Sequence, residues 1–431
     1  MTTESASPVS AARPSATRWI IVALLFFAAV LNYVDKNTLS LLAPTIQKDL
    51  NLTDQDYANI QNAFQVAYTI ALLASGVIVD KLGSRVSLAL FVDWWSLANV
   101  LTALARSATS LAGFRFALGL GEAGNWTASP KTVSEWFPAR ERGLAIGIYT
   151  CGTPIGMTLA PLFIIWLSTT YGWRSAFVIT GVAGLVWLVP WLFFNRRTAA
   201  DTALAAEGEL NLAADGTPEK GWSWLAAFGQ PVVWCLLLGR MFTDPIWFFY
   251  QNWFPKYLVT ARGLTQSDVK ITWVLFLAAG LGSLIGGWLA GQLVKRGTAP
   301  FRARMYVMLG CACFMPLSPL VASVPTATLS LLLASVIAFA HLAWLTNISA
   351  LVVDVVPKAS LGSVFGIVAA GSSLGAIVMN SQVAKLLKPD AVTKLVQPDA
   401  YDRWYLVAAF FHLAVIPLIM WGVLRHQRAR A

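Results

Sequence analysis

The chain has 431 residues, of which 57% are hydrophobic and only 12% are charged, and its mean hydropathy is +0.63. Soluble domains carry about 25% charged residues, so this composition excludes an ordinary soluble globular protein. The apolar runs are continuous rather than alternating, which favours membrane-spanning helices and excludes a β-barrel.

The formal net charge of +10 does not indicate nucleic-acid binding, because of where the basic residues lie. When twelve spans are assigned with the N-terminus inside, a majority of the 31 basic residues lie on one side. This asymmetry follows the positive-inside rule and predicts that both termini are cytoplasmic. Residues 1–18 lack an apolar core followed by a cleavage site, so the first helix is expected to be retained. We expect a multi-pass protein of a cell's inner membrane.

The pattern predicts an all-α membrane protein with twelve transmembrane helices. The predicted spans are 19–43, 56–79, 86–105, 108–130, 142–168, 174–194, 231–258, 268–293, 303–322, 326–352, 362–386 and 402–424. The polar, acid-rich stretch between the sixth and seventh spans is typical of a cytoplasmic linker. The predicted organisation is a cytoplasmic tail (1–18), a six-helix bundle (19–194), a linker (195–230), a second six-helix bundle (231–424) and a cytoplasmic tail (425–431).

The first span contains an acid and a base side by side, Asp35 and Lys36, in a stretch without other charges. Burying each charge in a membrane costs at least about 2.5–3.5 kcal/mol on insertion scales, and such groups usually face a cavity and carry function. The alternative is a pair that only neutralises itself between packed helices.

The fourth span carries a second charged set. Arg115, Gly119 and Glu122 are spaced i, i+4, i+7 and therefore share one helix face. At about 1.5 Å per residue, Asp35 and Arg115 are expected at nearly the same depth, with Glu122 about 10 Å deeper. The sequence thus predicts an Asp35–Arg115 pair with Glu122 below it. A purely structural pair leaves Glu122 isolated, and a buried carboxyl without a counter-ion favours the protonated form that a proton carrier needs.

The two halves of the chain repeat one another. A proline and four glycines recur in the fifth and eleventh spans at one constant offset, and the two sets are Pro138, Gly143, Gly147, Gly152, Gly156 and Pro357, Gly362, Gly366, Gly371, Gly375. Glycines allow helices to approach closely and to slide. Generic helix packing explains their presence but not their shared spacing, so the repeat predicts two pseudo-symmetric six-helix halves.

The loop Gly76-Val-Ile-Val-Asp80-Lys81-Leu82-Gly83-Ser84-Arg85 closes the second span. It resembles the signature loop of the major facilitator superfamily, whose members consist of two such halves with a site at the midplane between them. The resemblance implies that Asp80 and Arg85 belong to a gate on the cytoplasmic side.

Three further stretches resemble the anion:cation symporter branch of that superfamily. They are Leu31-Asn-Tyr-Val-Asp35-Lys36, the stretch from Arg115 to Asn125, and Ser134-Glu-Trp-Phe-Pro138-Ala-Arg-Glu-Arg142. The seventh span, from Arg240-Met-Phe-Thr-Asp244-Pro245 through Trp253-Phe-Pro255-Lys256-Tyr257-Leu258, is most similar to bacterial hexuronate and aldonate transporters.

The resemblance implies that Asp35 and Glu122 are proton-coupling carboxylates, with Arg115 coupled to Asp35. It also implies that the substrate site is lined from the N-terminal half by Tyr33, Lys36 and Tyr68. From the C-terminal half, polarity within apolar helices adds Trp247, Tyr250, Gln251, Asn252, Asn347, Ser372 and Ser373, some of which are expected to serve as ordinary interhelical hydrogen bonds instead.

The chain departs from the family's pattern in three places, the last of them a pair of residues. Lys36 stands where the family usually has arginine, and lysine lacks the bidentate fork that a guanidinium offers a carboxylate. Asp93 is an acid within the third span, and Gln251-Asn252 replaces an apolar pair. These departures bear on the substrate rather than on anion symport.

The sequence therefore predicts a proton-coupled symporter that imports a small organic anion, a hexuronate or aldonate by resemblance. Alternatives are a transporter or exchanger of another carboxylate, aromatic or dicarboxylic, and a non-transporting membrane sensor. No P-loop, nucleophile elbow or His/Cys metal spacing is present, so an enzyme, a bound metal and a cofactor are not expected. The expected partners are the anion, protons and the lipid bilayer, with the protein as a monomer and without nucleic acid.

Overall fold

The computed structural model describes residues 16–206, 221–264, 271–386 and 400–428. These residues form helices joined by short turns. In chain order the helices are α1 (Thr17–Leu41), α2 (Ala43–Leu50), α3 (Asp54–Leu82), α4 (Ser84–Thr102), α5 (Ala108–Glu122), α6 (Asn125–Trp136), α7 (Ala139–Tyr171), α8 (Trp173–Phe194), α9 (Ala199–Ala206), α10 (Trp224–Phe228), α11 (Pro231–Thr243), α12 (Pro245–Asn252), α13 (Phe254–Thr260), α14 (Trp273–Lys295), α15 (Pro300–Ala312), α16 (Leu320–Ser323), α17 (Ala327–Val355), α18 (Leu361–Leu386) and α19 (Ala400–Arg428).

Among the described residues, ten helical segments are long and apolar enough to cross a membrane, judged by length and composition. The other two predicted crossings are α4, which carries Arg85 and Asp93, and the interrupted pair α5–α6. Large apolar side chains such as Leu162, Val189 and Phe193 are 74%, 70% and 67% exposed on the outside of the bundle. Lipid, unlike water, accommodates such a surface. The predicted fold of twelve transmembrane helices in two six-helix halves is confirmed.

The turns between successive crossings follow from local sequence. Thr53 and Asp56 form a capping box at the start of α3, with Thr53 Oγ1 accepting from the Asp56 amide at 3.1 Å. At the other end of α3, Gly83 alone joins it to α4 and has a φ of 78°, in the left-handed region that favours glycine. The chain therefore reverses direction sharply there. The sequence repeats Leu52-Thr53 and Asp56 as Leu264-Thr265 and Asp268, but Thr265 and Asp268 lie outside the described residues.

Three crossings predicted as continuous helices are interrupted, and one of them is the ninth, which breaks between Ala312 and Leu320. The fourth breaks at Ala123–Gly124, directly after Glu122, and the seventh breaks at Asp244 and again at Trp253. Pro245 and Pro255 follow the two breaks in the seventh crossing, and proline has no N–H for the preceding turn of helix. Interrupted helices are typical of transporter binding sites, because free backbone groups can line a cavity.

The repeated glycines on α7 set its distance from two neighbours. A Cβ added at Gly143 or Gly147 would lie 2.8 or 2.5 Å from a backbone carbonyl oxygen of α14, in the other half. A Cβ added at Gly152 or Gly156 would lie 2.5 or 2.9 Å from a carbonyl oxygen of α1, in the same half. The N-terminal part of α7 thus packs closely against the other half, and its middle part packs closely against α1 of its own half.

The glycines on α18 make equivalent contacts in the same order. Gly362 and Gly366 lie against the carbonyls of Gly76 and Leu72 on α3 of the other half. Gly371 and Gly375 lie against carbonyls of α11 in the same half. The shared spacing seen in sequence therefore corresponds to two equivalent crossings, which join the halves on the side of the bundle where α1 begins. We call this side the closed side and the opposite one the open side.

We expect Gly366→Leu to separate the halves on the closed side, because its side chain would meet the backbone of Leu72. Helix α18 would move from this close approach toward the ordinary interhelical distance of about 8–10 Å. Spin labels introduced by Lys81→Cys and Lys295→Cys, both exposed on the closed side, would report a longer distance. The matched control is Gly310→Leu, since nothing lies within 4 Å of that position. An unchanged distance in Gly366→Leu would contradict this role for the contact.

Candidate functional site

A cavity of about 440 Å³ lies between the two halves, within the range of about 300–1,000 Å³ typical of small-molecule sites. Its walls come from α1, α3, α5, α6 and α7 of the first half and from α11, α12, α17 and α18 of the second. Ser40 and Asn62, at the end of α1 and near the start of α3, line it and are exposed. The cavity therefore faces the open side.

Most of the predicted substrate-binding residues line this cavity. They are Tyr33, Lys36, Tyr68, Trp247, Gln251, Asn252, Ser372 and Ser373. Two predicted residues do not reach the cavity wall. The ring of Tyr250 packs against Phe249 and Phe254, and Asn347 donates to the carbonyls of Gly286 and Ala343 at 3.1 and 2.8 Å. Both side chains face neighbouring helices, as ordinary interhelical contacts do.

Several lining residues were missed by sequence reasoning. They are Asn37, Ser40, Gln61, Asn62, Gln65, Trp126, Thr150, Thr153, Arg240, Asp244 and Phe248. Gln61 and Gln65 lie at i, i+4 on one face of α3, and Arg240 and Asp244 have the same spacing just before Pro245. A polar pair at this spacing within an apolar span is a signal that could have found them.

Lys36 faces the cavity from α1 and is held by aromatic rings. Its Nζ lies 4.8 Å from the ring centre of Tyr68 and 5.5 and 5.6 Å from those of Phe64 and Tyr33. No carboxylate forms an ion pair with it in the part of the chain that the structure describes. Cation–π contacts stabilise an ammonium group without neutralising it. Lys36 therefore presents a positive charge to the cavity.

The predicted Asp35–Arg115 ion pair is not formed. Asp35 is fully buried, and its Oδ1 accepts a hydrogen bond from Asn99 Nδ2 of α4 at 2.7 Å. Arg115 donates to the carbonyl of Lys36 at 3.3 Å and stacks over Phe64 at 4.8 Å. Adjacent helix residues point about 100° apart, so Asp35 turns toward α4 while Lys36 faces the cavity. The two groups still interact electrostatically, but not by contact.

Glu122 lies at the end of α5, beside the interruption of the fourth crossing. Its side chain is fully buried, and neither carboxylate oxygen has a hydrogen-bond partner among the described residues. Lys36 and Arg115 are close enough to interact with it electrostatically, as are the phenols of Tyr33 and Tyr68. A change in the charge of Glu122 must therefore alter the electrostatic potential at Lys36 and Arg115, which form the cationic wall of the cavity.

The closed side is held by charged groups that have ionic or backbone partners. Asp80 accepts hydrogen bonds from the backbone amides of Gly362 and Ser363 at 2.9 and 2.7 Å, at the start of α18 in the other half. Lys131 pairs with the same carboxylate at 2.8 Å. Arg85, the other predicted gate residue, donates to the carbonyl of Leu192 at 2.8 Å, within its own half. Only Asp80 of the two connects the halves.

A second ionic cluster on the closed side was not foreseen from sequence. Asp354 of α17 pairs with Arg142 of α7 and Arg304 of α15, both at 3.3 Å, and all three side chains are fully buried. Arg304 also donates to the carbonyl of Ala139 at 2.9 Å. One carboxylate thus binds guanidinium groups from both halves.

His341 is buried behind the cavity wall rather than lining it. Its Nδ1 lies 3.1 Å from Nε2 of His412 on α19, and the ring of Trp344 packs against His412 at 4.7 Å. His341 therefore packs against a second histidine.

The model of the major facilitator superfamily matches residues 25–379. The chain belongs to the major facilitator superfamily. A galacturonate transporter of Dickeya chrysanthemi is 33% identical over 280 residues, which are 63% of this chain and 81% of that protein. A hexuronate transporter of Escherichia coli K12 is 32% identical over 280 residues, 63% of this chain and 65% of that protein. Other relatives near 30% identity are named as transporters of galactonate and of galactarate or D-glucarate.

The solved structures agree on the fold. A superfamily member, the proton:xylose symporter XylE bound to 6-bromo-6-deoxy-D-glucose, superposes with a TM-score of 0.69 at 18% identity, covering 97% of this chain and 99% of its own. A bacterial homologue of the lysosomal transporter Spinster, in an inward-facing conformation, gives 0.52 at 18% identity, covering 96% and 97%. This superfamily protein is a membrane transporter and not an enzyme.

We expect Asn99→Leu to destabilise the protein, because the buried Asp35 carboxylate would lose its hydrogen-bond donor. The loss of such a partner costs about 1–3 kcal/mol. Thermal unfolding in detergent would show a lower Tm for Asn99→Leu, and Asp35→Asn added to it would recover part of the loss. Asn62→Leu, at an exposed position of α3, is the control. Equal Tm values for the two leucine variants would show that Asn99 does not stabilise Asp35.

Proposed function

We propose that this protein is a proton-coupled importer of sugar acids, such as hexuronates and aldonates, that works by alternating access. The observation that carries the proposal is the Glu122 carboxyl, which is buried beside Lys36 and Arg115 of a polar cavity and has no hydrogen-bond partner in the part of the chain that the structure describes. In this proposal the protein is a monomer in the inner membrane of a bacterium. Both termini are cytoplasmic, so the closed side faces the cytoplasm and the cavity faces outward.

The chemistry of the cavity suits a sugar acid. Lys36 and Arg115 supply positive charge for a carboxylate. Tyr68, Trp126 and Trp247 offer aromatic faces against which the C–H groups of a sugar can pack. The amides and hydroxyls that line the rest of the cavity match a polyol. The names of the relatives, which are transporters of galacturonate, hexuronates, galactonate and glucarate, support the same substrate class.

In this proposal, proton binding at Glu122 is the step that couples proton transport to anion transport. A protonated Glu122 no longer offsets Lys36 and Arg115, so the wall of the cavity becomes more positive and binds the anion more tightly. When Glu122 releases its proton, its negative charge competes for the same cations and favours release of the substrate. Asp35, held by Asn99 on the other face of α1, acts on Arg115 through space in the same sense.

Opening toward the cytoplasm requires the closed side to separate. The two amide bonds to Asp80 and the paired guanidinium groups at Asp354 would have to exchange partners or solvate. Hydrogen bonds to charged groups contribute about 1.5–3 kcal/mol each. These interactions therefore hold the outward-facing state until a loaded site shifts the balance.

Glu122→Gln is expected to abolish net uptake driven by an inward proton gradient in proteoliposomes while preserving exchange of substrate across the membrane. Glutamine keeps the shape of the protonated acid but cannot release a proton. Asp93→Asn is the matched control, because Asp93 is also an acid within a span but does not line the cavity. Gradient-driven uptake at the wild-type rate in Glu122→Gln would overturn the role of Glu122.

Lys36→Met is expected to weaken sugar-acid binding about tenfold to a hundredfold, because a charge-assisted contact of about 1.5–3 kcal/mol is lost. Lys36→Arg should retain most of the affinity, since it keeps the charge over the Tyr68 ring. Isothermal titration of the purified protein with D-galacturonate and D-galactonate measures both. Lys81→Met removes an exposed lysine outside the cavity and should leave the Kd unchanged. Wild-type affinity in Lys36→Met would place the carboxylate elsewhere.

A further inference from the structure

The charges that line the cavity are arranged unequally. The cations are Lys36, Arg115 and Arg240, and Asp244 is the sole carboxylate lining the cavity within the part of the chain that the structure describes. Lys36 and Arg115 belong to the first half and have no carboxylate in contact. Arg240 and Asp244 belong to the second half and bind each other. One wall of the cavity is therefore cationic and the opposite wall carries no net charge.

The geometry of the Arg240–Asp244 pair leaves one oxygen unused. Arg240 Nη2 and Nε both bind Asp244 Oδ2, at 2.7 and 2.8 Å. Asp244 Oδ1 has no hydrogen-bond partner among the described residues, although the side chain is only 4% exposed. Both guanidinium donors thus converge on Oδ2, and the carboxylate offsets the charge of Arg240 where the two residues line the cavity. This wall therefore offers no net positive charge to an anion.

The two walls line one cavity of about 440 Å³, so one sugar can reach both. A ligand with its carboxylate at Lys36 and Arg115 would direct its far end toward the wall that carries Arg240 and Asp244. A hydroxyl at that end would meet a wall without net charge. A second carboxylate at that end would meet a buried carboxylate of the same sign.

We propose that Asp244 is a specificity-determining residue that restricts this site to sugar acids with one carboxylate and excludes the diacids. The inference rests on the proposed function and deepens it by naming the substrate class. It separates two groups of relatives, because galacturonate and galactonate carry one carboxylate and galactarate and D-glucarate carry two. Asp244 acts by masking Arg240, which without it would be a second cationic subsite at the correct end of the cavity.

The test is binding of D-galacturonate, D-galactonate and galactarate to the purified protein, measured by isothermal titration so that proton coupling plays no part. The wild type should bind at least one of the two monocarboxylates about tenfold or more tightly than galactarate. Asp244→Asn should bind galactarate about tenfold or more tightly than the wild type does, because Arg240 is unmasked. Asp244→Glu keeps the charge and should retain the wild-type preference.

The double variant Arg240→Gln with Asp244→Asn separates masking from simple loss of repulsion. It should gain no galactarate affinity, because the cation that Asp244 covers is gone. Wild-type protein that binds galactarate as tightly as the monocarboxylates would overturn the proposal without any variant, even if the substituted proteins fail to fold. Equal galactarate gain in the double variant would overturn the masking role. If none of the three acids binds the wild type or Asp244→Asn, both the proposed function and this inference fail.

Discussion

The cost of placing charge in a membrane interior organises this protein. Lipid provides no solvation, so each buried ionisable group needs a partner or a function. On the closed side the charges have partners, as with Asp80 on the amides that begin α18 and Asp354 between two arginines. Beside the cavity, within the described residues, Glu122 has no hydrogen-bond partner and the ammonium group of Lys36 contacts aromatic rings instead of a carboxylate. The closed side and the cavity differ in this respect.

Charged groups beside the cavity can drive transport only if the two halves of the bundle can move relative to one another. The glycines of α7 and α18 provide this, since each helix contacts backbone both in its own half and across the interface. Backbone contacts without interlocking side chains give smooth surfaces. The charged latches then set which arrangement of the halves is preferred, and the glycine contacts set where the halves meet.

The fold could be predicted because its signals are repeated along the chain. Apolar runs identified the crossings, and Gly143 with Gly362 showed the two halves. The site was predicted less completely, because helix periodicity gives relative angles but not the neighbour that each face meets. Asp35 and Arg115 were predicted to form a pair, but they interact only electrostatically, because the Asp35 carboxylate faces Asn99. The position of Arg240 and Asp244 on the cavity wall could be found only from the three-dimensional structure, although their i, i+4 spacing is visible in the sequence.

The position of that pair on one interrupted helix has a consequence for membrane insertion. Arg240 lies in α11 and Asp244 directly follows this helix, so the two can bind each other before any other helix has packed. The charges of Arg240 and Asp244 can therefore compensate each other when the seventh crossing enters the bilayer. Asp35, by contrast, obtains its donor from α4, and Arg115 obtains its acceptor from α1. In the first half, α1, α4 and α5 must therefore pack together before Asp35 and Arg115 have their hydrogen-bond partners. The second half begins with a segment in which Arg240 and Asp244 are each other's partners.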